Sequence, residues 1–214
     1  MKFVLFVEGD TEQRVLPAFL KRWLDPRLSQ KVGVQPVKFT GWSELVKNLV
    51  NRAHAYLRSP GSSEIIAVVS LLDLYGPNFY PANLTTANQR YAWAKADLEG
   101  KVGHPKFRQH FAVHECEAWL LSDLSLFQRE VSTGLPGKCN QPEEVNFDEP
   151  PKKLLQKCYR ERLRETYKEV IHGLELFAEL DPCVVRGKCP RFRELLEDMI
   201  ILAEKAGLKR VTTT

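Results

Sequence analysis

Two rhythms of apolar residues alternate along the chain. Four short runs read as strands, at about residues 2–7, 34–39, 65–72 and 107–113. Between them, hydrophobic side chains recur every three or four positions, the spacing of helices with one buried face. In the first helix Val15, Leu16, Phe19, Leu20, Trp23 and Leu24 keep that spacing, and Pro17 inside it is expected to kink it. Asp10 and Gln13 are expected to form a capping box at its start, and Ser43 to cap the next helix. There Leu45, Leu49, Ala53 and Tyr56 make the apolar stripe, while Lys47, Arg52 and Arg58 read as a solvated face. Pro36 has no N–H, which puts the second strand at an edge. The third is apolar on both faces, as a central parallel strand should be. Further helices are expected at about residues 86–98 and 190–206. The alternation predicts an α/β fold with a largely parallel central sheet flanked by helices.

The last third differs in character. Gly134, Pro136, Gly137, Pro142, Pro150 and Pro151 divide it into loops and short helices, and residues 211–214 are expected to fray. A chain of 214 residues with 43% hydrophobic content suits one sizeable core. The division expected is a core at 1–125 and a helical, loop-rich extension at 126–214 packed on it. With 31 Lys and Arg against 27 Asp and Glu, the charge of +4 is compatible with a polyanionic partner without requiring one. The densest basic run is Lys152, Lys153, Lys157, Arg160, Arg162 and Arg164, with Tyr159 among them. It can follow a nucleic-acid backbone or form a salt-bridged helix with Glu161 and Glu165. Five cysteines, odd in number and without a Cys-x-x-Cys spacing, point to thiols in a reducing cytoplasm. No stretch is long and apolar enough to span a membrane. Neither glycine-rich phosphate loop occurs, which argues against nucleotide hydrolysis.

The candidate chemistry lies where strands stop. The first strand runs into Glu8, the third into Asp73, and the fourth into His114-Glu115-Cys116-Glu117. Strands of a parallel sheet end at one shared edge, where α/β proteins place their ligands. Gathered carboxylates repel one another unless a cation joins them. Hard oxygen donors favour Mg²⁺ or Mn²⁺, and those ions favour chemistry at phosphate oxygens. The plainer alternative treats each acid locally: Glu8 as a cap or ion-pair partner, Asp73 as a turn residue, Glu115 or Glu117 as first-turn acids of a helix. His114 is read as a packing residue.

Three elements carry a family resemblance: Val-Glu-Gly-Asp-Thr-Glu at 7–12, Asp-Leu-Tyr-Gly at 73–76, and His-Glu-Cys-Glu-Ala-Trp-Leu-Leu-Ser-Asp at 114–123. With Tyr167-Lys168 and Cys189-Pro190-Arg191-Phe192, they make most of the chain resemble a stand-alone bacterial TOPRIM-like family, domain of unknown function 4276, distantly similar to OLD-type nucleases. The resemblance implies a TOPRIM-like fold and cleavage of phosphodiester bonds in DNA or RNA with Mg²⁺ or Mn²⁺. Glu8 maps onto a glutamate that serves as acid/base or ligand, and Asp73 onto the first aspartate of a metal-holding Asp-x-Asp. Tyr75 replaces the second aspartate, so Glu115 or Glu117 is expected to supply the missing ligand. The expected metal set is Glu8, Asp73, Glu115 and Glu117, with Glu8 and Lys168 as catalytic residues. Tyr75 itself is expected to pack or to hydrogen-bond a phosphate. The resemblance further implies an ATPase partner of the ABC or SMC type and a role in bacteriophage defence. The alternative, which Tyr75 favours, is a catalytically degenerate TOPRIM-like module that binds nucleic acid or an ATPase without cleavage.

Overall fold

The computed structural model describes residues 1–145 and 149–211; of the tail expected to fray, residues 212–214 lie outside the described residues. The elements run β1 (Lys2–Val7), α1 (Asp10–Leu24), β2 (Gly33–Lys38), α2 (Trp42–Leu57), β3 (Ile65–Asp73), α3 (Ala87–Val102) and β4 (Phe107–Ala112). Then follow α4 (Glu117–Leu120), α5 (Arg129–Ser132), α6 (Pro151–Leu163), one π-helical turn (Glu169–Gly173), α7 (Leu174–Glu179), α8 (Pro182–Lys188) and α9 (Pro190–Lys205). All strand pairs are parallel, in the order β2-β1-β3-β4. The α/β fold with a parallel sheet between helices is therefore the one expected, with β3 inside and Pro36 on an edge strand.

Side chains of β1 alternate between two cores, as the strand period dictates. Phe3, Leu5 and Val7 face a core shared with α1 and the C-terminal helices, whereas Val4 and Phe6 face α2 and α3. In the first core the Phe19 ring centroid lies 6.2 Å from that of Trp119 and 5.5 Å from those of Phe177 and Phe192. Rings from α1, α4, α7 and α9 thus interlock, and truncating one such phenylalanine to alanine typically costs about 3–5 kcal/mol. Residues beyond 126 share this core with β1.

Two helix starts differ from expectation. Neither Asp10 nor Ser43 caps. The N-cap residues are Gly9 and Gly41, neither with a side-chain cap. Asp10 is instead the first helical residue and pairs with Lys38 at 2.7 Å. At α2, Glu44 turns back to accept the Thr40 N–H at 2.5 Å, doing locally what Ser43 was expected to do. The capping box in this half of the chain belongs to Thr86 and Gln89 at α3. α1 continues through Pro17 without interruption, and Lys47, Arg52 and Arg58 are exposed as expected.

Candidate metal centre

The parallel sheet brings the strand ends together, and backbone hydrogen bonds link them. Glu8 directly follows β1, and its Oε1 accepts the Asp73 N–H at the end of β3, at 2.6 Å. Asp73 Oδ1 in turn accepts the Cys116 N–H beyond β4, at 3.2 Å. Glu8 is also held by its backbone: its carbonyl accepts the Gly41 N–H at 3.0 Å, and the Trp42 N–H at the start of α2 reaches its carboxylate. Gly41 has φ 84°, a left-handed conformation that favours glycine. Glu117 opens α4 and is only 7% exposed. Glu115 is anchored from the extension: its Oε2 accepts the Lys152 N–H in the first turn of α6, at 3.0 Å.

A further acid joins the group. Glu12 lies in the first turn of α1, above Gly9, where a Cβ would stand 2.8 Å from Glu12 Oε2. Gly9 has ordinary extended backbone, so what it provides is space for that carboxylate rather than conformational freedom.

These acids raise one another's proton affinity. Burial, followed by the neighbouring charges of Glu8, Glu12, Glu117 and Glu115, pushes Asp73 well above the usual carboxylate range. Burial pushes Glu8 up to about 7, against its hydrogen bond from Asp73 and aided by Glu12 and Glu115. It pushes Glu117 to about 8, with Glu115 and Glu169 adding to it. Glu12 and Glu115 move in the same direction, again chiefly through burial.

Among the described residues, Lys152 is a cation set among them. Burial disfavours its charge, but an ion pair with Glu169 and the fields of Glu117 and Glu115 outweigh that and raise its pKa. Beside them the Tyr167 hydroxyl is buried without a hydrogen-bond partner, and its ionisation is suppressed first by burial and then by Glu117 and Glu169. Lys168 is exposed, and its backbone N–H donates to His172 Nδ1 at 2.8 Å. Tyr75 is half-buried and its N–H donates to the His114 carbonyl at 2.8 Å.

The structure thus groups the four expected metal ligands, Glu8, Asp73, Glu115 and Glu117, electrostatically. It adds Glu12, Glu169, Lys152 and Tyr167, which sequence reasoning had not assigned to the site. Glu12 had a readable signal, four residues after Glu8 in the first helical turn. Tyr167 stood beside the expected catalytic Lys168 in an element that carries the resemblance, whereas Lys152 and Glu169 had no such signal, because folding of the extension carries them there. The donor set suits a hard divalent ion, being all oxygen with an excess of negative charge and an orphaned hydroxyl. Its carboxylates are nevertheless not closed on a point. Among the described residues, the trio with ligand atoms within 4.8 Å of one another is His110, Glu194 and Asp198, away from the strand ends.

His114 is buried and lines a cavity of about 940 Å³ together with Glu143, Lys188, Arg191 and Arg193. Glu143 occupies the start of α9 there, accepting the N–H groups of Arg191 and Phe192 at 2.9 and 3.2 Å. No described helix is long and apolar enough to cross a membrane.

A model of the family described as domain of unknown function (DUF4276) matches residues 7–200. Among solved structures, the C-terminal region of the Burkholderia pseudomallei OLD protein is similar at 18% identity and a TM-score of 0.48, covering 93% of this chain and 96% of that one. The C-terminal region of the Xanthomonas campestris pv. campestris OLD protein is similar at 17% identity and a TM-score of 0.44, covering 96% and 97%. No curated protein matches the chain.

Proposed function

The chain belongs to the DUF4276 family, and on that footing we propose that it is a TOPRIM-like nuclease that cleaves phosphodiester bonds of DNA or RNA with Mg²⁺ or Mn²⁺. The observation that carries this reading is the hydrogen-bonded succession Glu8, Asp73, Cys116, which fixes three strand ends around acids whose charges lack sufficient cations. Asp73 and Glu117, supported by Glu115 and Glu12, would hold the ion. When bound, it would supply Lewis-acid polarisation of a phosphoryl oxygen and neutralise developing charge.

The chain's own groups have separable parts. Glu8, with its pKa near neutrality, can give or take a proton at Oε2, while Oε1 stays bonded to the Asp73 N–H. The Tyr167 hydroxyl, having no partner, is free to donate to an oxygen of the substrate. Lys168 stands exposed two residues before the π-helical turn's second position and can stabilise negative charge at the rim. Exposed Lys153, Arg160 and Arg162 on α6 provide cations for a nucleic-acid backbone. An ABC- or SMC-type ATPase partner and a role in antiviral defence come with the family resemblance, and a cytoplasmic setting with the unpaired cysteines.

Calorimetric titration of Mn²⁺ into wild type, Glu8→Ala and Asp73→Ala tests the centre without needing a partner. Binding to wild type, lost in both variants, is the expected result. Nuclease assays on DNA and RNA follow, with Asp73→Ala expected to lose cleavage by a factor of about 100 or more, as removal of a principal electrostatic group does. Absence of binding to wild type would favour the degenerate module, to which Tyr75 and the resident Lys152 cation point.

A further inference from the structure

Away from the strand ends, β4, α3 and α9 meet around a second charged cluster. His110 projects from β4, Glu194 and Asp198 stand four residues apart on α9, and one ligand atom of each lies within 4.8 Å of the others. We propose that His110, Glu194 and Asp198 bind a divalent metal ion of the zinc class, which fastens α9 to the outer strand of the sheet.

The first support is an unpartnered atom. His110 is 1% exposed and its Nε2 has no well-aligned hydrogen-bond partner, its nearest acceptor being Asp198 Oδ2 at 3.2 Å. The two atoms are close without the alignment that a ring N–H would need. That separation suits shared coordination: ligands about 2.0–2.1 Å from a tetrahedral ion stand about 3.3 Å apart.

The second support is the other ring nitrogen. The Tyr91 hydroxyl lies 3.4 Å from His110 Nδ1 and also bonds the Glu194 carboxylate. A carboxylate only accepts, so the single phenolic proton goes to Glu194 and the phenolic oxygen accepts from Nδ1–H. In the neutral ring this leaves the Nε2 lone pair facing the acids. An imidazole oriented through its far nitrogen in this way is a common form of metal ligand. An imidazole in the set also favours Zn²⁺ over Mg²⁺.

Lys95 is the competing cation. Its Nζ is 3.6 Å from both Glu194 and Asp198, but nearer to Glu99 at 3.1 Å and to the Gln109 carbonyl at 3.0 Å. The nearer contacts can retain it while the two α9 acids turn toward an ion. Arg191 takes the opposite oxygen of Glu194, at 3.0 Å, and leaves Oε1 on the Lys95 side.

The test uses Zn²⁺ calorimetry and Co²⁺ absorption on the full chain carrying Asp73→Ala, so that the strand-end acids contribute little. One bound equivalent is expected, with the visible absorption of four-coordinate Co²⁺. In that background Asp198→Asn and Glu194→Gln, both at half-buried helical positions, should each weaken binding at least about tenfold. Circular dichroism establishes that each variant is folded. Lys95→Met should tighten binding, since it removes the competitor. No binding to the Asp73→Ala chain would overturn the proposal, and so would binding that survives both α9 substitutions.

Discussion

The two charged clusters use similar residues and balance their charge in opposite ways. Around Asp198, burial would favour the protonated acid, yet His110 and Lys95 hold its carboxyl below the usual range. Around Asp73, Lys152 is the cation set among the acids, and Glu8, Glu12, Asp73, Glu115 and Glu117 all rise. His110, and then Lys95, favour the ionised carboxyl of Asp198. At the strand ends, hydrogen bonds hold the acids in place while their repulsion is relieved by protons or by an added cation. Fixed geometry with uncompensated charge is common at functional sites, and compensated charge is common in structural networks.

Removing the lysine from the balanced cluster should have the largest effect on stability. Lys95→Met leaves Glu99, Glu194 and Asp198 facing one another, and should destabilise the metal-free chain by about 2–3 kcal/mol, less than the roughly 3–5 kcal/mol of a broken fully buried pair because these acids are partly exposed. Urea denaturation measures it, and an unchanged midpoint would mean that the two clusters do not differ as described.

The unbalanced cluster should respond in the opposite sense. Folding raises the pKa of Glu8 to about 7 and of Glu117 to about 8, so between about pH 4.5 and 8 the folded chain binds more protons than the unfolded one. Stability without divalent ions should therefore be fullest near pH 4.5 and fall as pH rises through that window. Glu117→Gln should flatten the fall and raise Tm at pH 8 by several degrees, at about 2–4 °C per kcal/mol for a chain of this size. Mn²⁺ should have a similar effect on wild type, more at pH 8 than at pH 5. A Tm that rises with pH would contradict the assignment.

The smallest effect on stability should come from Gly9→Ala. The added methyl displaces the Glu12 carboxylate, a flexible side-chain end, so Tm should move by no more than about 2 °C. Mn²⁺ affinity should fall about tenfold if Glu12 supports the ion. An unchanged affinity would place Glu12 outside the centre.

Much of the sheet was legible because β1 and β3 are continuous apolar runs ending in acids, and β4 falls at the expected position. Glu8 and Asp73 could be read as neighbours because parallel strands share an edge. The helix caps at Gly9 and Gly41 were less legible, because backbone geometry rather than a hydroxyl begins those helices. Lys152, Glu169 and Tyr167 reach the strand ends only through the packing of α6 and the π-helical turn, which no local spacing encodes. His110 lies within a short strand, and its acids lie 84 and 88 residues later, so only the closing of α9 over β4 brings them together.

The borders of the sheet have a consequence for assembly. At β4 the outward N–H and C=O of Gln109 are already taken, by Glu99 at 3.0 Å and by Lys95 at 3.0 Å. At β2, Pro36 has no N–H to offer, and Lys38 is engaged with Asp10. An extended segment from another molecule would meet an interrupted ladder on either side, which protects the chain from edge-to-edge aggregation. A partner would then engage through side chains and helix surfaces, leaving the number of strands at four.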